Sequence, residues 1–540
     1  MSRCDILIRG GEVIDGSGRA PIRADVAIAG ERIVAIGADA EKADASRVID
    51  AVGLVVAPGF IDIKTHSDFT LPLNPLAESK IRQGVTTEVI GHCGFSVAPV
   101  LPGKVEMLRD YLSPSAPWLT FRETGFAGYL EAFPATSTNV CALVGHNTLR
   151  LMAMGMAPRA ARHNELQHMI ALLDEALAAG AMGLSTGLFT PPGCFAETDE
   201  IIALAKVLKR HGAGYFSHLR DEANHVFEAL DEAIRIGAAS GVHVQVVHVK
   251  LSGLDNWGRA GEFLAALEAA RERGVAVDCD QYPYTAASNP LKNLLPPWVQ
   301  SDRLEEMTAR LADPTVRGRI ASAIAESGLN NFGRIPDWDA IRISVSPQQA
   351  QYAGRTIAQI ARERGADPID CVCDYLIADR CATRVLVSSI GEEDVRTLIR
   401  SDAVCVGSDG NCVAPYGVTS QGKTHPRFYG TFPRILGHYV RDLGLLPLEA
   451  AIHKMTGAPA RALGLERRGL VREGWFADLT LFDSREFAER ASYDDPHQYP
   501  AGAATTVIVN GTLTVDRAEH TGALSGRLLR RPTHSIGRTP

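Results

Sequence analysis

Two histidines thirty residues apart, His218 and His248, each close a short apolar run that reads as a β-strand. The runs are Tyr215-Phe216-Ser217-His218 and Val244-Gln245-Val246-Val247-His248, and a helical pattern from Ala223 to Ser240, closed by Gly241, lies between them. In a repeated strand–helix array the C-terminal ends of successive parallel strands open on one mouth, which is where such folds carry their chemistry. Two imidazoles there predict a metal site. A third ligand is on offer in Gly91-His92-Cys93-Gly94, which follows the strand-like run Thr86–Ile90. A thiolate with two imidazoles and one open position is an ordinary catalytic zinc set. Taken alone, Cys93 would be read as a small buried hydrophobe, and His92 is its rival as ligand.

Asp409 ends the run Val404-Cys405-Val406-Gly407-Ser408. A carboxylate at that place can take a proton from water and later pass it to a leaving amine; the plainer reading is a turn aspartate before Gly410. His66 stands just after the first strand, in Asp62-Ile63-Lys64-Thr65-His66. Lys64 precedes it by two residues, and a protonated lysine has no lone pair for a metal. Lys250, two residues beyond His248, Arg220, two beyond His218, and Arg427 in the loop after the last strand are candidates to bind a carboxylate. Tyr282 and Tyr284 could add hydroxyl donors. For each of these five, a surface cation or a packed tyrosine is the competing reading. His146, in Gly145-His146-Asn147, is the one further histidine with a suggestive place.

The elements that would position these groups are legible as alternating strands and helices from Val55 onward. Candidate strands are Phe60–Ile63, Thr86–Ile90, Asn139–Val144, Gly183–Ser185, Tyr215–His218, Gln245–Val249, Ala276–Asp280 and Val404–Ser408. Gly180, Gly212, Gly241 and Gly274 each follow a helical pattern and precede a strand, as helix C-terminal stops do. Eight such units fit a closed barrel. The rhythm breaks after Asp280 for more than 120 residues, which reads as an inserted subdomain, a lid near the mouth, since a structureless loop of that length is implausible. The chain ends differ in texture, with short strands and Gly-rich turns on both sides of the barrel. The expected organisation is therefore residues 1–55 and 457–530 forming one β-domain, 56–456 an α/β barrel with an insertion about 285–380, and 531–540 a loose tail.

The chain has 540 residues, 46% hydrophobic and 22% charged, with a net charge of −8, which is the composition of a globular protein without a basic tract. Nucleic acid is excluded as a partner on that ground, and no apolar stretch approaches the ~20 residues of a membrane span. No signal-peptide core follows Met1, and the ten cysteines are scattered rather than framed as disulfides, so a reducing cytoplasm is the expected location.

Taken together, these motifs resemble the amidohydrolase superfamily, and within it the N-acyl-D-amino-acid deacylases. Pro58-Gly59-Phe60-Ile61-Asp62 and Met455-Thr456-Gly457-Ala458-Pro459-Ala460 are the superfamily-wide pieces. Gly91-His92-Cys93-Gly94, Gly183-Leu184-Ser185-Thr186-Gly187-Leu188, Ser217-His218-Leu219-Arg220, Asp280-Gln281-Tyr282-Pro283-Tyr284, Gly407-Ser408-Asp409-Gly410 and His425-Pro426-Arg427-Phe428-Tyr429-Gly430 are similar to the deacylases in particular. The likeness runs from about Asp5 to Arg530. It implies a (β/α)8 barrel of TIM type with a small β-sandwich made from both termini. It implies that Cys93, rather than His92, joins His218 and His248 around a tightly bound zinc, and that Asp409 is the acid/base. Lys250, Arg427, Tyr282 or Tyr284, and Ser288 fall in segments that bind the substrate carboxylate and amide. The small-molecule substrate would be an N-acyl-D-amino acid, hydrolysed to a carboxylate and a free D-amino acid, with His66 or a tyrosine hydroxyl helping to stabilise the oxyanion.

Lys64 departs from the family pattern, which has His-x-His at this point, serving a second and weaker metal. One zinc ion per chain is the resulting expectation. Two alternatives stand beside it: an amidohydrolase acting on a cyclic amide or other C–N bond, and a catalytically silent barrel that binds a metabolite.

Overall fold

The computed structural model describes residues 3–300, 303–502 and 504–531. The expected tail, from residue 532 on, lies outside the described residues. The N-terminal strands are β1 (Arg3–Val13), β2 (Ile22–Ala29), β3 (Arg32–Ile36), β4 (Asp44–Asp50) and β5 (Val55–Pro58). The central strands are β6 (Phe60–Asp62), β7 (Val85–Ile90), β8 (Asn139–Ala142), β9 (Val144–Gly145), β10 (Gly183–Gly187), β11 (Gly214–His218), β12 (Val244–Val246) and β13 (Val277–Gln281). Then come β14 (Ala286–Pro290), β15 (Ile341–Val345), β16 (Arg384–Ser388), β17 (Val404–Val406), β18 (Leu479–Phe482), β19 (Thr506–Val509), β20 (Thr512–Asp516), β21 (Glu519–His520) and β22 (Leu528–Leu529).

Strands appear at all eight places where the sequence puts them. One parallel sheet runs β6-β7-β8 and a second runs β9-β10-β11-β12-β13-β17; Leu143 alone separates β8 from β9, so one chain segment serves both. At the far sides, Thr65 and Gly410 form a parallel bridge, the Asp409 N–H donates to Lys64 O at 2.8 Å and the His66 N–H to Gly410 O at 3.0 Å. The ends of the first and last strands are thus hydrogen-bonded to each other. Side chains alternate across these strands, as their two-residue period requires. Ile61, Val89, Cys141, Phe216 and Cys405 fall in one buried cluster, with Ala458 and Leu463 of the helix Gly457–Leu463 packed against them. Their neighbours Val140, Ala142, Tyr215 and Val404 fall in the larger cluster built with the flanking helices. Gly180, Gly212, Gly241 and Gly274 all have positive φ, as expected of helix stops that must turn left-handed.

Strands from both chain ends make a single nine-stranded sheet, in which β5 pairs antiparallel with β18 at Pro58↔Leu479 and Val55↔Phe482. The long excursion after β13 carries its own antiparallel sheet, β14-β16-β15, and its own apolar core with Ile343, Tyr375 and Val385. That sheet extends to Ser388, past the boundary near 380 read from the sequence, because β16 is the central strand and pairs on both sides. Among the described residues, no helix is long and apolar enough to cross a membrane.

Candidate active site

The ends of β7, β11, β12 and β17 bring four residues to one cleft, which residues of β14, β15 and β16 also line. Cys93 Sγ lies 3.3 Å from His218 Nδ1 and 3.1 Å from His248 Nε2, and the three donor atoms all lie within 4.8 Å of one another. Ligands about 2.0–2.3 Å from a tetrahedral zinc stand about 3.5 Å apart, so these spacings suit one ion. Cys93 (φ 55°), His248 (φ 39°) and Asp409 (φ 50°) are all non-glycine residues in the left-handed region. Such backbone costs energy and clusters at functional sites, where surrounding structure holds it. Gly187 shows how tight that surround is: a Cβ there would stand 2.1 Å from the Cys93 carbonyl oxygen.

The remaining imidazole nitrogens point at one carboxylate. Glu222 Oε2 is 3.1 Å from His218 Nε2, and Oε1 is 3.3 Å from His248 Nδ1. Behind His218 the carboxylate fixes the tautomer that leaves Nδ1 free to ligate; His248 Nδ1 faces the Lys250 ammonium as well, at 2.9 Å. Glu222 is buried; burial opposes its ionisation, but His218 and Lys250 outweigh this and hold its carboxyl well below the usual range. Asn331, from the excursion, locks it further by donating from Nδ2 to Oε2 (2.9 Å) and accepting the Glu222 N–H (2.8 Å). Burial pushes the Cys93 thiol up to about 12, the nearby Lys64 ammonium notwithstanding, so the thiolate needs a further cation beside it.

Asp409 sits between two cations. Its Oδ1 is 2.6 Å from Lys64 Nζ and its Oδ2 is 2.8 Å from Arg427 Nη2. Burial disfavours its charge, yet Arg427 and Lys64 hold its carboxyl well below the ordinary range. Lys64 also reaches His66 Nε2, at 3.0 Å. An ammonium can only donate, so Nε2 is the acceptor and Nδ1, which has no partner among the described residues, carries the hydrogen. Burial, then Lys64, pushes the His66 pKa down to about 3, so the ring is neutral. Among the described residues, Arg427 keeps Nε and Nη1 buried without partners. Its guanidinium lies over the Tyr282 ring, 4.7 Å from the centroid, and the Tyr282 hydroxyl is itself buried with no partner among the described residues.

The cleft gathers most of the residues singled out in the sequence. Cys93, His218, His248, His66, Lys250, Ser288, Asp409 and Arg427 all line it. Lys250 donates to Glu222 Oε1 (2.6 Å) and to the His248 carbonyl (3.1 Å). Arg220 does not belong to the cleft: β11 ends at His218, the chain then turns, and the guanidinium is taken by Glu232 and by the carbonyls of Cys194 and Ala196. Tyr284 is likewise elsewhere, donating to Glu489 at 2.6 Å, because β13 ends at Gln281 and a turn replaces the strand alternation. His92 donates from Nε2 to Ile63 O at 2.9 Å and packs on Phe216, away from the thiol. His146 pairs with Glu200 at 2.7 Å within a buried group that includes Arg150. Glu222, Asn331 and Arg384 escaped the sequence reading.

A model described as the amidohydrolase family matches residues 47–515. The chain is 38% identical over 529 residues to a D-aminoacylase of Alcaligenes xylosoxydans xylosoxydans, covering 98% of each. It is 36% identical over 540 residues to an N-acyl-D-glutamate deacylase of the same organism, covering 99% of each. Among solved structures, an N-acyl-D-glutamate deacylase from Bordetella bronchiseptica, complexed with zinc and a phosphonate mimic of the tetrahedral intermediate, is 34% identical with a TM-score of 0.81, covering 98% of this chain and 100% of that one. A D-aminoacylase structure of equal coverage and TM-score, 36% identical, is described as having a binuclear metal centre with one-metal activation and second-metal attenuation. An L-hydantoinase from Arthrobacter aurescens, 16% identical with a TM-score of 0.54 and 98% of this chain covered, shares the fold alone.

Proposed function

Since the chain belongs to the amidohydrolase family, we propose that it is a metal-dependent hydrolase that deacylates N-acyl-D-amino acids to a carboxylate and a free D-amino acid. Its α/β fold is of the amidohydrolase TIM-barrel type. Within that fold we read the parallel strands as a closed (β/α)8 barrel, the excursion carrying β14–β16 as a lid, and the strands of both termini as a β-sandwich. The observation that carries the function is the convergence of Cys93, His218 and His248 beside Asp409, under an arginine whose Nε and Nη1 are buried and unpaired.

Cys93, His218 and His248 would hold one zinc ion, which supplies a Lewis acid that polarises a carbonyl and acidifies water. Glu222 would orient both imidazoles. Asp409 takes the proton released as water attacks the amide carbon, then delivers it to the leaving amine nitrogen as the C–N bond breaks. Its two cationic neighbours suit the second half especially: a carboxyl with a depressed pKa is a strong acid once protonated. Arg427 binds the α-carboxylate through the nitrogens it keeps free, and Tyr282 supports it from below. The Ser288 hydroxyl is a further donor lining the cleft, whereas the Lys250 ammonium is held by Glu222 Oε1 and by the Nδ1 and carbonyl oxygen of His248. His66, neutral with hydrogen on Nδ1, can donate to the developing oxyanion. Lys64 fills with its own charge the space between Asp409 and His66, so a single metal ion is the expected complement.

The test is release of amine from N-acetyl-D-leucine and N-acetyl-L-leucine, with metal analysis of the same sample. Turnover of the D-enantiomer and zinc in the purified protein are expected. Activity on ring amides with none on either enantiomer would move the reaction to the cyclic-amide class.

A further inference from the structure

The deacylase reading leaves one cation of the cleft unexplained. Among the described residues Asp409 is the only carboxylate lining it, and Arg427 and Lys64 already neutralise that group; Lys250 pairs with Glu222 behind the wall. Arg384, the first residue of β16, also lines the cleft. Its Nη1 donates to Ser115 Oγ at 2.8 Å and its Nη2 to Ser288 Oγ at 3.4 Å, both neutral hydroxyls. Among the described residues it has no carboxylate partner. A half-buried guanidinium is ordinarily paired, since burial of an unpaired charge is costly. Burial, with Arg427 nearby, pulls the Arg384 pKa down to about 10.

A second unpaired cation lies just beyond. Lys292 lines a smaller recess that shares Ser115, Asn293 and Phe95 with the cleft, and its ammonium has no ion-pair partner among the described residues. The α-carboxylate assigned to Arg427 answers one positive charge. The surplus at Arg384, with Lys292 behind it, calls for a second negative charge on the same ligand.

We propose that the substrate carries a second carboxylate, received by Arg384 from the lid, so that Arg384 determines specificity. This rests on the deacylase reading. The second carboxylate can come from an acidic side chain of the D-amino acid or from a dicarboxylic acyl group, and both present the same chemistry to a guanidinium.

Two matched pairs separate these sources: N-acetyl-D-glutamate against N-acetyl-D-glutamine, and N-succinyl-D-leucine against N-butanoyl-D-leucine. For each, kcat/KM is read by amine release, and Kd by calorimetry on the zinc-loaded protein. One charged bond to a carboxylate corresponds to about tenfold or more in affinity, so the charged member of one pair should be favoured by about tenfold. That preference should shrink to about twofold or less in Arg384→Gln and survive in part in Arg384→Lys. The first pair responding names the side chain, the second the acyl group. Equal handling within both pairs, or a preference that Arg384→Gln leaves intact, overturns the proposal. If the melting curve shows that Arg384→Gln does not fold, the wild-type pairs and Arg384→Lys decide. Absence of turnover on all four substrates overturns the deacylase reading, while the calorimetric preference still decides the role of Arg384.

Discussion

The Lys64 ammonium lies 2.6 Å from Asp409 Oδ1, with the lysine side chain wholly excluded from solvent. Burial works against its charge, but Asp409 outweighs it, so the lysine pKa is raised and the ammonium is permanent at neutral pH. It also donates to His66 Nε2. A second metal ion would have to take both that imidazole and that carboxylate, and neither is free. Elemental analysis after exhaustive dialysis should therefore find one zinc per chain. Lys64→His should raise the capacity towards two. Excess zinc should leave wild-type turnover unchanged. Two tightly held ions in the wild-type protein would refute this account of Lys64.

Asp409→Asn removes the one carboxylate that lines the cleft among the described residues. Acid–base groups contribute about 10²–10⁴ in rate, and kcat should fall by about that much. Metal content should stay at the wild-type value, since Asp409 is not among the three converging donors. The same change leaves Lys64 and Arg427 facing each other with no anion between them, so melting should also occur at lower temperature. Turnover near that of the wild type would remove the acid/base assignment.

Arg427→Met should act on substrate binding and on Asp409 together, because one guanidinium serves both. Hydrogen bonds to charged groups are worth about 1.5–3 kcal/mol, so KM for an N-acyl-D-amino acid should rise about tenfold or more. The matching N-acyl-D-amino-acid amide, which lacks the carboxylate, isolates the two effects. Its kcat should fall in the variant with its KM little changed. An unaltered KM for the acid would exclude Arg427 as the carboxylate anchor.

Glu222→Gln keeps the shape of the group behind both imidazoles but removes its charge. Loss of such orienting partners costs about 10–100-fold in metal affinity. Competition with a chromophoric chelator should show zinc released at correspondingly lower chelator concentration. Retention of wild-type affinity would mean that Glu222 serves only to pair Lys250.

The division between what was legible in the chain and what was not follows where strands stop. Cys93, His218 and His248 could be found because a strand end fixes a direction and a run of apolar residues marks the strand. The same alternation, carried two residues past His218, wrongly enlisted Arg220, which lies beyond the last paired residue of β11; Tyr284, read only as a hydroxyl donor at the mouth, lies beyond the last paired residue of β13. Glu222 sits in the loop after β11, where no periodicity applies. Asn331 and Arg384 come from the excursion, whose own core can be inferred from its apolar content but whose contacts with the site depend on tertiary packing alone. The terminal segments were matched by texture, and their joining at β5–β18 needs contacts between residues over 400 positions apart.

Asp68, two residues past His66, offers a test by pH that does not involve turnover. Burial pushes its carboxyl up to about 7, against the Lys64 charge that favours ionisation. In the unfolded chain the group ionises near its ordinary value of 3.8. The folded state therefore resists a charge that the unfolded state accepts. No cost exists below about pH 4, the cost grows as pH rises between the two pKa values, and it is fully present above about pH 7. At 1.36 kcal/mol per unit, the penalty at full ionisation is about 4 kcal/mol. Asp68→Asn should thus stabilise the protein at pH 8 by up to that order and much less at pH 5, read as the difference in melting temperature from the wild type at each pH. A stabilisation of equal size at both pH values would show that the aspartate is ionised, or neutral, throughout.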